Sequence, residues 1–310
     1  MFSAALDRLK RGLDELNRIN PSIVTRLDSA NDEDELLQIL RQLSTGADRA
    51  RSADAHIMKG HILDFIEEDV GKPIVPRPDP ASKHDRGVHH DDTGRLLCPA
   101  IWDWDNISVR TKIRSGDRNY VITADHWPAL FYAGYKCDFD DLEKGLFYSP
   151  MLVKGYKLIF HSPSGAREYA LQPDQHLLPA NEVQQGDGYK RPRKVNTRRT
   201  VASLMRVHEV RPRAIAYVCV QMCFALSSFP VWNDNIRAFD YIALYNNIVD
   251  YFECAPGPAA KGRVDACLKW WNDICYPNHP RIPDNSEEPE NSGSIARMEE
   301  QRRAREEPRP

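Results

Sequence analysis

Residues 212–229 read PRAIAYVCVQMCFALSSF, and within them Ala214 to Phe229 is the longest apolar run of the chain. Pro212 opens it well, because a proline at the first helical position gives up only an amide that would have no partner there. Ile215, Val218, Cys219, Met222, Leu226 and Phe229 then recur at helical spacing, and Val220 and Phe224 widen the apolar girdle around the cylinder. A helix apolar on most sides belongs in an interior. The run includes Gln221 and two serines and falls short of the ~20 residues that cross a bilayer, so it predicts a central core helix and no membrane span.

The flanking segments extend the pattern. Asp234 is placed to cap a next helix carrying Phe239, Ile242, Tyr245, Val249 and Phe252. After Pro256-Gly257-Pro258 a last helix shows Val264, Cys267, Leu268, Trp271, Ile274 and Cys275 at i, i+3, i+4, i+7 spacing, and these three helices should pack together. At the amino end Leu6, Leu9, Leu13 and Leu16 form a short helix that stops at Asn20-Pro21. Asn31 before Asp32, Glu33, Asp34 and Glu35 predicts a capped second helix on Leu36, Leu40 and Leu43, and a third follows on Met58, His61, Ile62 and Phe65.

The segment from His89 to Ser164 is different in kind. Trp102-Asp103-Trp104-Asp105, Trp127-Pro128 and Gly145-Leu146-Phe147 crowd aromatic, acidic and turn residues together; the first alternates with period two, and Tyr120-Val121-Ile122-Thr123 is β-prone. Asp125 is placed to cap a helical turn bearing Trp127, Leu130 and Phe131, and Ser149-Pro150 opens a helix on Leu152, Val153, Tyr156, Ile159 and Phe160. The expected fold is mainly α: an irregular helical domain with a Trp-rich, loop-heavy centre and at most a small β element. Residues 1–70 read as an N-terminal helical segment. Residues 71–93, with prolines at 73, 76, 78 and 80, read as a linker or a wrapped extended segment. Residues 94–280 form the core domain, with a basic loop inserted at about 162–211, and residues 281–310, rich in Glu, Arg, Pro and Ser, form a disordered charged tail.

Whole-chain quantities bound the function. A net charge of -3 over 310 residues argues against wholesale nucleic-acid or membrane binding, so an electrostatic partner must be met locally. Seven cysteines, an odd number in a long chain, read as reduced thiols, and the charges scattered through Met1 to Leu16 leave no signal-peptide core; both readings place the protein in the cytoplasm or nucleus.

Five short strings carry a resemblance: Gly94 to Pro99, Trp127-Pro128, Lys144-Gly145-Leu146 to Ser149, Ile159-Phe160-His161-Ser162-Pro163, and Ala225-Leu226-Ser227-Ser228. In this order and spacing they resemble a family of uncharacterised proteins from basidiomycete fungi, domain of unknown function 6698, over roughly residues 36–277. The resemblance implies no activity, cofactor or catalytic residue. Where that family often has Pro-Trp ahead of the Gly-Leu element, this chain has Asp141-Leu142-Glu143-Lys144.

The sharpest polar feature is Tyr189 to Arg213, with nine Lys or Arg against the single acid Glu209, a net +8. Lys190, Arg191, Arg193 and Lys194, with Arg198 and Arg199, match a nuclear-import string and suit non-specific contact with phosphates; a solvated loop is the plainer reading. The partner implied is an import receptor, another protein or non-specific nucleic acid. Arg198-Arg199-Thr200 also fits a kinase substrate. An enzyme alternative rests on Asp91, Asp103 and Asp105 gathering a divalent metal, although short Asp side chains more commonly close turns. His84, His89, His90, Asp92 and Cys98 include metal-ligand types without paired spacing, and a thiol enzyme would need Cys98 or Cys137 beside His126 or His161. Phosphate-loop, nucleophile-elbow and dinucleotide motifs are absent. No cofactor is expected.

Overall fold

A helix buried from Ile215 to Leu226, with only Tyr217 half-exposed, organises the molecule. The computed structural model describes residues 2–161, 208–230 and 239–277. Its helices, in chain order, are α1 (Phe2–Ile19), α2 (Pro21–Asp28), α3 (Glu33–Val70), α4 (Asp91–Leu97), α5 (Ile107–Ser115), α6 (Pro150–Tyr156), α7 (Pro212–Leu226), α8 (Tyr241–Glu253) and α9 (Pro258–Cys275). The central helix α7 is packed by α3, α6 and α8. Ile215, Ala216, Val218, Cys219, Met222, Ala225 and Leu226 are fully buried, so the apolar girdle read from the sequence is the core. It ends at Leu226, short of Phe229, where the Ser227 amide turns back to the carbonyls of Cys223 and Phe224.

The fold is mainly α. Among the described residues no strand forms; isolated antiparallel bridges join Pro99 with Pro128 and Tyr132 with Leu146. Tyr120 closes a 3-10 turn begun at Arg118, and Val121 to Thr123 run on without a pairing partner.

Three expected helix starts shift. The two helices expected after Asn31 are one helix, α3, of 38 residues. Nothing between Ser44 and Ile57 can stop it: Gly46 costs about 1 kcal/mol relative to alanine, no proline intervenes, and Arg51 pairs with Asp48 one turn back. Its cap is Asp32, whose carboxylate accepts the Glu35 amide at 2.8 Å, while Asn31 gives its own amide to the Glu35 carboxylate. Helix α8 starts after Asp240, which accepts from the Ile242 and Ala243 amides at 2.9 Å each; Asp234 lies outside the described residues. The turn expected after Asp125 is a 3-10 turn, Ala129–Phe131, preceded by Pro128.

Ser149-Pro150 does open α6, which runs into a π turn, Lys157–His161. The proline-bearing segment after α3 wraps. Ile74 enters the core, Arg77 pairs with Asp64 and Glu67 of α3, and His90 Nε2 lies 2.8 Å from the Pro76 carbonyl. With His90 Nδ1 accepting the Asp92 amide, the partners assign the proton to Nε2, so His90 caps α4 and ties it to the wrap. Residues Met1–Pro277 form one compact unit. The tail read at 281–310 lies outside the described residues.

Gly94 shows how tight the centre is. A Cβ there would sit 2.4 Å from Cη2 of the Trp104 ring, which is itself buried in a satellite core with Cys98 and Ile113. Gly60, in mid α3, has nothing within 4 Å of the same position. Gly94→Ala should therefore cost about 1–3 kcal/mol by overpacking, whereas Gly60→Ala should add up to about 1 kcal/mol through helix propensity. Urea melts of the two variants check this, and equal effects would refute the packing argument.

Candidate functional site

The acidic residues of the centre do not converge. Asp91, in the first turn of α4, lies 2.6 Å from Arg114 Nη2 of α5, and that bond holds its carboxyl below the usual range. Asp105 pairs with Arg95 at 2.7 Å and is lowered likewise, while Asp103 closes a turn by accepting the Asp105 amide at 3.0 Å. All three side chains point to solvent or to arginines, and Trp104 between them is buried. Among the described residues no group of three or more His, Cys, Asp or Glu is arranged to hold a metal ion. His84 pairs with its neighbour Asp85 on the surface, far in role from His90, which is engaged with backbone on both ring nitrogens.

The thiols are placed against reactivity. All seven cysteines are free. Burial pushes the Cys98 thiol up to about 12 and raises that of Cys137, the reverse of what a nucleophile requires. His126 Nδ1 is engaged by Thr123, and His161 packs on Tyr156 and Tyr276. Cys219 and Cys223 share the buried face of α7, where desolvation raises both. A cavity of about 130 Å³ lies between α2 and α3, lined by Ile23, Arg26, Ile39, Gln42 and Leu43. It contains none of these groups and is smaller than the ~300–1,000 Å³ of a metabolite pocket.

The basic residues Lys190, Arg191, Arg193, Lys194, Arg198 and Arg199, with Thr200, lie outside the described residues. Both flanks of their segment are described, and both rest on the carboxyl end of α9, at Asn272 and the capping residue Tyr276. On the entry side the His161 ring packs on Tyr276 at 5.0 Å; on the exit side the buried Val210 amide donates to Asn272 Oδ1 at 2.7 Å. Arg211 pairs with Glu209 and Arg213 with Glu253 of α8.

Cations that sequence reasoning missed sit inside. Lys83 and Arg86, in the wrap after α3, are 5% and 0% exposed. Lys83 Nζ donates to the Phe224 carbonyl at 2.9 Å and lies over the Phe224 ring. Arg86 Nη1 donates to the Ala225 carbonyl at 2.8 Å, and its Nη2 reaches the carbonyls of Lys59, Pro80 and Asp79. The Phe224 and Ala225 carbonyls are at the buried carboxyl end of α7, where they lack intrahelical partners and where positive charge also meets the negative end of the helix dipole. Among the described residues no carboxylate is bonded to either side chain. In a string such as Lys83-His84-Asp85-Arg86 the cations look solvated, and only the carbonyls they find in the fold distinguish them.

Four of the five short strings now have a common explanation. Gly94 to Pro99 meets Trp127-Pro128 through two bonds, Ala100 N to Trp127 O at 2.9 Å and Ala129 N to Cys98 O at 2.8 Å. Gly145 to Phe147 lies along Phe131 to Ala133, with Phe147 held at φ 63° while Trp271 Nε1 donates to its carbonyl. Ala225 to Ser228 is the end capped by Lys83 and Arg86. The match to the Family of unknown function (DUF6698) spans residues 45–276. The chain belongs to this family. No curated protein and no solved structure matches it. The family domain thus begins within α3 and ends at Tyr276, the residue that caps α9, and leaves α1 and α2 outside it. In place of Pro-Trp before the Gly-Leu element, Asp141 and Glu143 of this chain both pair with Arg263 of α9. No helix among the described residues is long and apolar enough to cross a membrane.

Burial, together with the charges of Arg86 and Lys59, lowers the Lys83 amine from 10.5 to about 7 within the family domain. Between those values the unfolded chain binds a proton that the folded chain does not, so this group adds stability as pH rises from about 7 to about 10. The buried thiols act oppositely above about 8.5, because they ionise first in the unfolded chain. A comparison of wild type with Lys83→Met cancels the thiols. Between pH 7 and pH 9 the wild type should gain about 1–3 kcal/mol on the variant in urea melts, and a constant difference would refute the assignment. Arg86→Met, which strips partners from buried carbonyls, should cost about 2–4 kcal/mol at any pH.

Proposed function

We infer that the protein is an intracellular, non-enzymatic binding protein of the cytoplasm or nucleus, acting through the segment that holds Lys190, Arg191, Arg193, Lys194, Arg198 and Arg199. Its partner is an import receptor, or a polyanion such as nucleic acid bound without sequence preference. The resemblance to fungal proteins implies a basidiomycete source. No cofactor enters this reading.

The carrying observation is one of charge pairing. Of the nine cations between Tyr189 and Arg213, Arg211 and Arg213 are matched by Glu209 and Glu253. Glu209 is the segment's single acid, so the other seven have no carboxylate of their own stretch to balance them. A surplus of that size, flanked by anchors on α9, suits a contact that releases counterions from a phosphate backbone or fills the acidic groove of a receptor. The divalent-metal reading has no comparable support, since Asp91 and Asp105 each hold an arginine and Asp103 a backbone amide. A protein that works this way requires no deep polar pocket.

Replacing Lys190, Arg191, Arg193 and Lys194 together with alanine should abolish nuclear accumulation of a fluorescently tagged chain, and exchanging the two lysines for arginine should preserve it. Heparin or duplex DNA binding by the wild type should fall steeply with salt and show no sequence preference. An unchanged cellular distribution and unchanged polyanion binding in the alanine variant would remove the proposal.

A further inference from the structure

Helix α1 is mounted the wrong way round for a helix whose leucines belong to the core. Arg8 Nη1 lies 2.8 Å from Asp250 and Arg11 Nε 2.6 Å from Glu253, both on α8, and Arg213 Nη2 donates to the Arg8 carbonyl at 3.2 Å. A Cβ on Gly12 would come 3.0 Å from Arg213 Nη1, so this face sits directly on the body. The charged side is thereby turned inward. Leu6, Leu9 and Leu13 remain 66%, 71% and 50% exposed, with Leu16 half-buried.

Their spacing of three, four and three residues is that of alternating a and d positions in a two-heptad seam. A stripe of leucines held outward by ion pairs on the opposite face needs a cover, and the flanking charges say which. Asp7, Lys10 and Asp14 border it, mixed in sign, while the arginines that a lipid surface would favour are engaged with α8. Mixed borders of this kind are complementary to themselves. The helix is 18 residues, about 27 Å, long, so its face offers a few hundred Å², below the ~800 Å² per partner of a standard interface. That area fits one helix of equal length and a weak, concentration-dependent association.

We propose that this face is a self-association surface, on which two copies of the chain pair through Leu6, Leu9, Leu13 and Leu16 in an antiparallel, two-fold seam. Centred between Leu9 and Leu13, the pairing sets Leu6 against Leu16 and Leu9 against Leu13 of the second copy. It also brings Lys10 of each chain within one helical turn of the other's Asp14, twice over by symmetry. The seam lies outside the family domain, so it adds an assembly device to that domain and does not depend on the basic segment.

Sedimentation of the full chain tests this. From about 1 to about 100 µM the weight-average mass should climb from 35.5 kDa toward twice that value. Leu9→Asp/Leu13→Asp should stay at one chain's mass with its melting curve unchanged, because both residues are exposed. Lys10→Asp alone and Asp14→Lys alone should each weaken association several-fold, and the double variant should regain it. A wild type that remains monomeric throughout, a leucine variant that associates like wild type, or a double variant no better than the singles would each overturn the proposal. So would a monomeric wild type that sediments with phosphatidylcholine–phosphatidylserine vesicles while the leucine variant does not, which would give the face to a bilayer.

Discussion

Burying the carboxyl end of α7 is the constraint from which much of the architecture follows. The last carbonyls of any helix lack intrahelical partners, and inside a protein an unmatched carbonyl costs about 1–3 kcal/mol. Here Ser227, Lys83 and Arg86 supply the donors to Phe224 and Ala225. Because the two cations come from the segment after α3, that segment is drawn over the end of α7 and held there. Arg86 also bonds the Lys59 carbonyl, so one guanidinium joins α3, the wrap and the core helix. Gly87 follows at φ 81°, where a side chain would strike the Ser228 backbone at 3.1 Å. The wrap and the helix end fit only with a glycine between them.

Residue types associated with chemistry serve as structure throughout the centre. Carboxylates cap turns or hold arginines, thiols fill apolar space with raised pKa values, and His90 anchors backbone with both nitrogens. The aromatic residues crowd around Phe147, whose ring meets Trp127 edge to face and Phe131, Tyr251 and Phe252 at a tilt. Such packing explains why short, weakly specific strings far apart in the chain read as one family. They are the pieces that must touch.

Legibility followed locality. The Pro-initiated helices α6, α7 and α9 were plain in the sequence because the fixed φ of proline and a run of apolar residues are local signals. The unbroken α3 was not, since a glycine and a polar stretch resemble a gap until neighbouring elements show that nothing interrupts the hydrogen-bond ladder. The start of α8 was misplaced by six residues for a similar reason: Asp234 and Asp240 are equally good caps, and the choice between them is made by where Tyr241, Leu244 and Ile248 find the core. Lys83 and Arg86 gave no signal at all, because a buried cation and a solvated one are spelled alike.

By itself the sequence determined the helical class, the identity of the central helix, the family, and the basic segment between Tyr189 and Arg213, all of them properties of neighbouring residues or of counted charge. Only the tertiary structure decided which charges are inside, which leucines are outside, and that the acidic residues of the centre stand apart. Those outcomes depend on distances between residues tens to hundreds of positions apart, such as Arg8 to Asp250 or Arg86 to Ala225, and periodicity along a chain carries no record of them.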